Sequence, residues 1–391
     1  MTSNNLVYLD NAATTSVEPL VAEAMSAALL PGGSFGNPSS NHEFGRDALA
    51  IVETAREQLA RLLGAAPREL IWTSGATESD NMAITGAARF RAHRGKHAIT
   101  MPVEHKAVTD TFDALEREGF EVTRLSPESD GMLDLQKLDA AIRADTQLVS
   151  IMFVNNETGA KQDIESIGQR CRGQDILLHV DAAQAVGKVP IDLSRMPIDL
   201  MSLTAHKFYG PKGIGALYVA DRPGCQIEPL LFGGGHERGM RPGTSAVHQI
   251  LGIGLAAEIA AERMQGDLAH LRALREQLWN GIRDLPGLHI NGPRQGGFPG
   301  ILNVSAEGVD GESLMLAMHP VCVASGSACN ARSGESSYVL RALGRDDRLA
   351  QSAIRFGIGR HNSTQDIDIA IDRYREAVLK LRDMAPTAGT A

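Results

Sequence analysis

Ile176-Leu177-Leu178-His179-Val180-Asp181 and Leu200-Met201-Ser202-Leu203-Thr204-Ala205-His206-Lys207 are two short apolar runs, each followed by chemically active side chains. Runs this short, rich in Leu, Val and Ile, read as strands of a parallel sheet covered by helices. Asp181 and Lys207 then stand at the carboxyl edge of that sheet, where α/β proteins place ligands. Working outward, further strands are expected over Glu69–Thr73, His97–Met101, Glu121–Leu125, Leu148–Val154 and Gly215–Val219, which makes one sheet of seven with the two above. Helical patterns over Ala76–Arg91, His105–Glu118, Leu135–Arg143 and Asp163–Arg172 lie between them. After the glycine-rich stretch Gly233–Gly243, a long helical pattern from Val247 to Leu285 leads to strands near Leu288–Asn291 and Gly300–Val304. Helices then fit near Gly311–Met318, Ser337–Ala342 and Thr364–Arg382. The expected architecture is α/β: a large domain over 16–246 with a mostly parallel seven-stranded sheet, and a smaller α+β domain formed by 1–15 and 247–391.

The composition narrows the class. In 391 residues, 43% hydrophobic and 22% charged, there is material for a large core and no sign of a disordered or fibrous chain. A net charge of −9 leaves no overall basic field for nucleic acid or an anionic bilayer, so neither partner is expected. The four cysteines, Cys171, Cys225, Cys322 and Cys329, show no two-residue spacing, which argues against a disulfide framework or a zinc ribbon. With no basic-then-apolar leader and no run of about 18 apolar residues, a cytoplasmic location in a reducing compartment is expected.

Three constellations carry chemistry. Ser74-Gly75-Ala76-Thr77-Glu78-Ser79 joins a strand to a helix, and a glycine turn at a helix N-terminus offers backbone N–H groups and a positive dipole end to a phosphate. The same hydroxyls could simply cap the helix. The segment matches neither the Rossmann fingerprint nor the P-loop. The second constellation is the pair Asp181 and Lys207, which suits a pyridoxal phosphate Schiff base, the carboxylate keeping the ring nitrogen protonated, although a structural ion pair would place the same residue types together. The third is Cys329, in the small-residue stretch Ala324-Ser325-Gly326-Ser327-Ala328-Cys329, a thiol available as a nucleophile while the other three cysteines read as fillers. His105, Asn156, Gln184 and His206 also fall at strand ends or helix starts. His236-Glu237 lacks a histidine four residues on, since Met240 stands there, so the zinc-protease motif fails.

Taken together and in order, Tyr8–Thr15, Phe35–Ser40, Ser74–Asn81, Glu104–Val108, Val154–Gly159, His206-Lys207 and Ser325–Cys329 resemble the pyridoxal-phosphate cysteine desulfurases of the IscS/NifS group, over about Leu6 to Pro386. The resemblance implies fold-type I, the class V aminotransferase architecture, working as a homodimer on L-cysteine. It implies Lys207 as Schiff-base lysine and proton carrier, Asp181 as partner of the ring nitrogen, and His105 as a catalytic residue stacked on the ring and shuttling protons. Gln184 would bond the ring hydroxyl and Asn156 would support substrate and ring. Ala76, Thr77, Thr204 and His206 would hold the phosphate, with Thr244 reaching it from the second subunit. Asn37 and Arg355 would bind the substrate carboxylate. Cys329 would take the sulfur as a persulfide, leaving alanine, and pass it to an iron–sulfur scaffold or a sulfur carrier for cluster assembly or for tRNA and cofactor thiolation. No metal is implied in the resting enzyme, although Cys329 could ligate an iron–sulfur cluster in transit.

The chain departs from the family pattern in places. Ala324 stands where many members have Ser, Ser336 where many have Pro, and Pro242 where Arg-x-Gly-Thr usually has a small residue. Housekeeping members usually carry a longer tail than the end soon after Leu381–Pro386, where nitrogenase-type members often stop, and Ala220–Gln226 has only Arg222 where housekeeping members are richly basic, which leaves the choice of partner open. A selenocysteine lyase or another class V aminotransferase would share Lys207 and Asp181. A dimeric docking relative would keep the fold without binding cofactor.

Overall fold

The computed structural model describes residues 6–325 and 336–384. Its large sheet is built from β2 (Leu70–Thr73), β3 (His97–Thr100), β4 (Glu121–Arg124), β5 (Thr146–Ser150), β6 (Leu177–Asp181), β7 (Leu200–Thr204) and β8 (Gly215–Val219), preceded in the chain by β1 (Val7–Tyr8). The strand order is β2-β8-β7-β6-β5-β3-β4, and only β8 runs against its neighbours. β2, β3, β5, β6, β7 and β8 are buried at every position, which is why they read as continuous apolar runs rather than alternating ones.

The expected sheet is therefore present, with one strand placed differently. The apolar run Leu148–Val154 forms a regular strand only as far as Ser150. Beyond it Ile151 and Phe153 still donate their N–H groups to the His179 and Asp181 carbonyls, while Val154 bridges to Lys161. The chain leaves the ladder in an extended conformation and delivers Asn156 to the carboxyl edge.

Two helices, α1 (Pro19–Leu29) and α2 (Glu43–Leu63), precede the sheet. Within it lie α3 (Ala76–Arg91), α4 (Lys106–Arg117), α5 (Leu135–Ala141) and α6 (Ile164–Gly173). α7 (Val247–Ile282) follows β8 and packs on α1 and α2. Antiparallel β9 (Leu288–Ile290) and β10 (Ile301–Ala306) join β12 (Ala324–Ser325) and β13 (Ile354–Gly357) in a sheet of order β12-β13-β10-β9, and β11 (Val321–Cys322) pairs in parallel with β1. The helices α8 (Gly311–Ala317), α9 (Tyr338–Ala342), α10 (Asp347–Gln351) and α11 (Thr364–Met384) complete the chain. β13 was not foreseen, because Arg355 interrupts its apolar pattern. No described helix is long and apolar enough to cross a membrane.

Gly215 decides how closely the sheet approaches the turn before α3. A Cβ there would lie 2.3 Å from the Leu203 carbonyl oxygen and 2.7 Å from Gly75 Cα. Gly215→Ala is expected to lower stability by about 1–3 kcal/mol by overpacking. Denaturant melts check this, and a change within about 0.5 kcal/mol, the range of ordinary surface substitutions, would contradict it.

Candidate active site

A cavity of about 560 Å³ opens at the carboxyl edge of β5, β6 and β7. Ala76, Thr77, His105, Asn156, Asp181, Gln184, Thr204, His206, Lys207 and Arg355 all line it. Residues as far apart in the chain as Ala12 and Arg355 converge because the strand ends and the 10–15 segment meet there. Asn37 and Thr244 do not line it in this chain. Both are exposed, and the Asn37 side chain accepts from the Ser39 N–H at 2.9 Å. Cys329 lies outside the described residues.

Lys207 ends a single 3₁₀ turn, Ala205–Lys207, that follows β7 directly. Its Nζ donates to the carbonyls of Ala12 and Ala13, 2.7 Å each. Nothing in the sequence pattern around Ala12 and Ala13 signals that contact. Asp181, the last residue of β6, is buried, and its Oδ1 accepts the Ala183 N–H at 2.9 Å. Burial pushes its carboxyl up from the usual range, against the opposing pull of His105 and Lys207. The buried carboxyls of Asp80 and Glu104 are pushed up further by burial, and the charge of Asp181 adds to both shifts. His179, between the hydroxyls of Ser150 and Ser202, is driven down to about 3 by burial and is neutral.

His105 caps α4, its Nδ1 accepting the Ala107 N–H at 3.1 Å. His206 Nδ1 lies 3.1 Å from Thr14 Oγ1, and burial, aided by Lys207, lowers its pKa to about 4, so it is a neutral imidazole. Gln184 donates from Nε2 to the Ala12 carbonyl at 2.7 Å, while Oε1 accepts from Lys188 at 2.7 Å. Arg355, only 2% exposed, donates to Asp10 Oδ1 at 2.7 Å and to the Asn156 carbonyl at 3.0 Å. Its Nε is buried with no hydrogen-bond partner among the described residues.

One end of the cavity is built by backbone. Among the described residues no side chain caps α3 at Gly75, so the first N–H groups of a 16-residue helix face the turn. Beyond Gly75 the nearest atom to an added Cβ is Thr204 Oγ1, at 3.6 Å, so the turn leaves room. Glu78 would repel an anion there, but Arg241 pairs with it at 2.9 Å. The same pair ties the glycine-rich loop that carries Thr244 to the α3 turn, a link with no sequence signal, since the partners are 163 residues apart.

An amine, a buried carboxylate and an open helix N-terminus around one cavity are the donor set that pyridoxal phosphate requires: an attachment point, a partner for a protonated ring nitrogen and an anion cradle. The residues present fit that group. The Aminotransferase class-V family model matches residues 7–369. Cysteine desulfurase IscS of Klebsiella pneumoniae is 56% identical over 381 residues, 97% of this chain and 94% of that protein, and the protein of the same name from Serratia proteamaculans is also 56% identical over 381 residues, with the same shares covered. Among solved structures, a NifS-like protein superposes with a TM-score of 0.89 at 37% identity, covering 96% of this chain and 100% of that one. SspA in complex with cysteine gives 0.80 at 38%, covering 91% and 99%. The chain belongs to the class-V aminotransferase family, with the fold-type I architecture. Within that family its activity is that of a pyridoxal-phosphate-dependent cysteine desulfurase with L-cysteine as substrate.

Proposed function

We propose that the residues of this cavity, with Cys329 and a second copy of the chain, convert L-cysteine to L-alanine and pass the sulfur to an acceptor protein. The observation that supports this most directly is Lys207 sharing a cavity with the buried Asp181 and the uncapped N-terminus of α3. When bound, pyridoxal 5′-phosphate supplies an electron sink for the α-carbon of an amino acid. Asp181 holds the proton on the ring nitrogen. The first N–H groups of α3, with Thr204 and His206, hold the phosphate, and Thr244 of a second copy completes that cradle. Lys207 anchors the cofactor, then takes the α-proton of the substrate and returns it. His105 and Asn156 hold the ring, and Arg355 and Asn37 orient the substrate carboxylate.

Cys329 acts as thiolate. Its Sγ forms a bond to the substrate sulfur as the Cβ–S bond breaks, the bonding electrons stay on carbon, and carbon gains a proton to become the methyl of alanine. The persulfide on Cys329 is handed to an iron–sulfur scaffold or sulfur carrier in the cytoplasm. The division into 16–246 and 1–15 with 247–391 separates the cofactor-binding part from the part carrying Cys329.

Alanine formation from L-cysteine, with a thiol as sulfur acceptor, tests the reading. Cys329→Ala is expected to keep the cofactor absorbance and lose alanine formation by at least about a hundredfold, as for loss of a nucleophile. Equal rates for both proteins would remove Cys329 from the reaction. A preference for the selenium substrate would favour a selenocysteine lyase.

A further inference from the structure

Lys188 is a half-buried lysine that the reaction above does not use. It follows Gly187, a turn beyond Gln184, and its Nζ donates to Gln184 Oε1 at 2.7 Å while lying 5.6 Å from the ring centre of Phe298. Burial, with Lys207 and Arg355 nearby, holds its ammonium well below the usual lysine range. Asp267 and Arg360 line the same small cavity as Lys188 and are paired with each other at 2.7 Å.

The contact is one link in a series. Gln184 accepts from Lys188 at one end of its amide, and at the other donates to the Ala12 carbonyl, which also receives Lys207 Nζ, each at 2.7 Å. A carbonyl only accepts, so the Ala12 contact makes Nε2 the donor end of the Gln184 amide, and Lys188 Nζ, donating to Oε1, supports the same orientation. Its oxygen is taken up by Lys188. What Gln184 can then offer the cavity it lines is its second N–H, a donor.

Building on the proposed function, we propose that Lys188 is a positioning residue for the cofactor: it fixes the amide of Gln184 so that the cavity receives a hydrogen-bond donor, matched to the anionic ring oxygen of pyridoxal phosphate. Without Lys188 the amide loses the partner of its oxygen, which can rotate toward the cavity and present an acceptor to an acceptor. The Ala12 carbonyl, shared with Lys207, loses part of its support in the same event.

The test compares Lys188→Met, which keeps the apolar stem, and Lys188→Gln, which restores a donor, with the wild type. Apoprotein is titrated with pyridoxal phosphate, and the absorbance of the loaded protein is followed against pH. Lys188→Met is expected to raise the cofactor dissociation constant about tenfold and the pH midpoint of the absorbance change by about one unit, the effect of one hydrogen bond to a charged group. Lys188→Gln is expected to recover part of both. Adding Gln184→Leu to Lys188→Met should then change little more, because the two side chains act as one unit. Unchanged affinity and midpoint in Lys188→Met overturn the inference, as do additive losses in the double variant. If Lys188→Met does not fold, Lys188→Gln carries the decision: a midpoint displaced as far as that of Gln184→Leu contradicts donor rescue, and one near the wild type supports it. Failure of the wild type to bind pyridoxal phosphate at all would overturn the proposed function itself. That result is distinct from a wild type that binds and a variant that behaves identically.

Discussion

Lys207→Ala is expected to abolish conversion of cysteine, lowering the rate by about three to four orders of magnitude, near the upper range for loss of a positioned acid–base group. The geometry behind the expectation is specific. Lys207 stands on the 3₁₀ turn directly after β7, so its position is set by an interior strand with Cα partners on both sides, β6 and β8. Its Nζ is held by two backbone carbonyls from the other end of the chain, Ala12 and Ala13. Removing it leaves Gln184 still donating to Ala12, so the local structure has a partial substitute and the fold should survive. The purified variant should therefore melt cooperatively, bind the cofactor without attaching it, and make no alanine above background. Retention of more than about a tenth of the wild-type rate would show that another group moves the α-proton, since a uniform-binding role would not reach turnover.

Asp181→Asn should be nearly as damaging to the rate while sparing the fold. An asparagine can keep the hydrogen bond from the Ala183 N–H in the same buried volume. What it removes is the negative charge, and with it the means of keeping a ring nitrogen protonated. A rate loss of roughly a hundredfold to a thousandfold is expected, the range for deleting one preorganised electrostatic group. The neighbouring carboxyls do not compensate. Asp80 and Glu104 are themselves pushed up by burial and by Asp181, and relief of that repulsion in Asp181→Asn makes them easier to ionise without bringing either to the Asp181 position. Steady-state rates, cofactor absorbance and melting temperature should be measured on the same preparation. A full rate with altered absorbance would mean that the ring nitrogen is controlled from elsewhere.

How much could be read beforehand differs from element to element. The interior strands of the large sheet were legible because burial on both faces favours apolar residues without a polar alternation, and β7 and β8 fall at the residues expected. β13 was not, because Arg355 sits inside it, fully buried and held by Asp10. A buried arginine looks like a surface residue until its partner is known. The extended stretch after β5 shows the reverse case: the apolar run continues, but the regular ladder stops, and the sequence pattern does not record where.

The residue types that carry the chemistry were fixed locally: a lysine and an aspartate each at the end of an apolar strand, and a glycine turn opening a helix. Those are properties of short segments, and strand periodicity with turn chemistry is enough to place them. The tertiary structure decided which of them share a cavity and what each is bonded to. The carbonyls of Ala12 and Ala13 on Lys207, the Asp10 carboxylate on Arg355, the Arg241 pair on Glu78 and the hold of Lys188 on Gln184 depend on how segments meet in space. Hydrogen bonds between side chains and backbone act over about 3 Å whatever the separation along the chain, so contacts of this kind leave no periodicity to read.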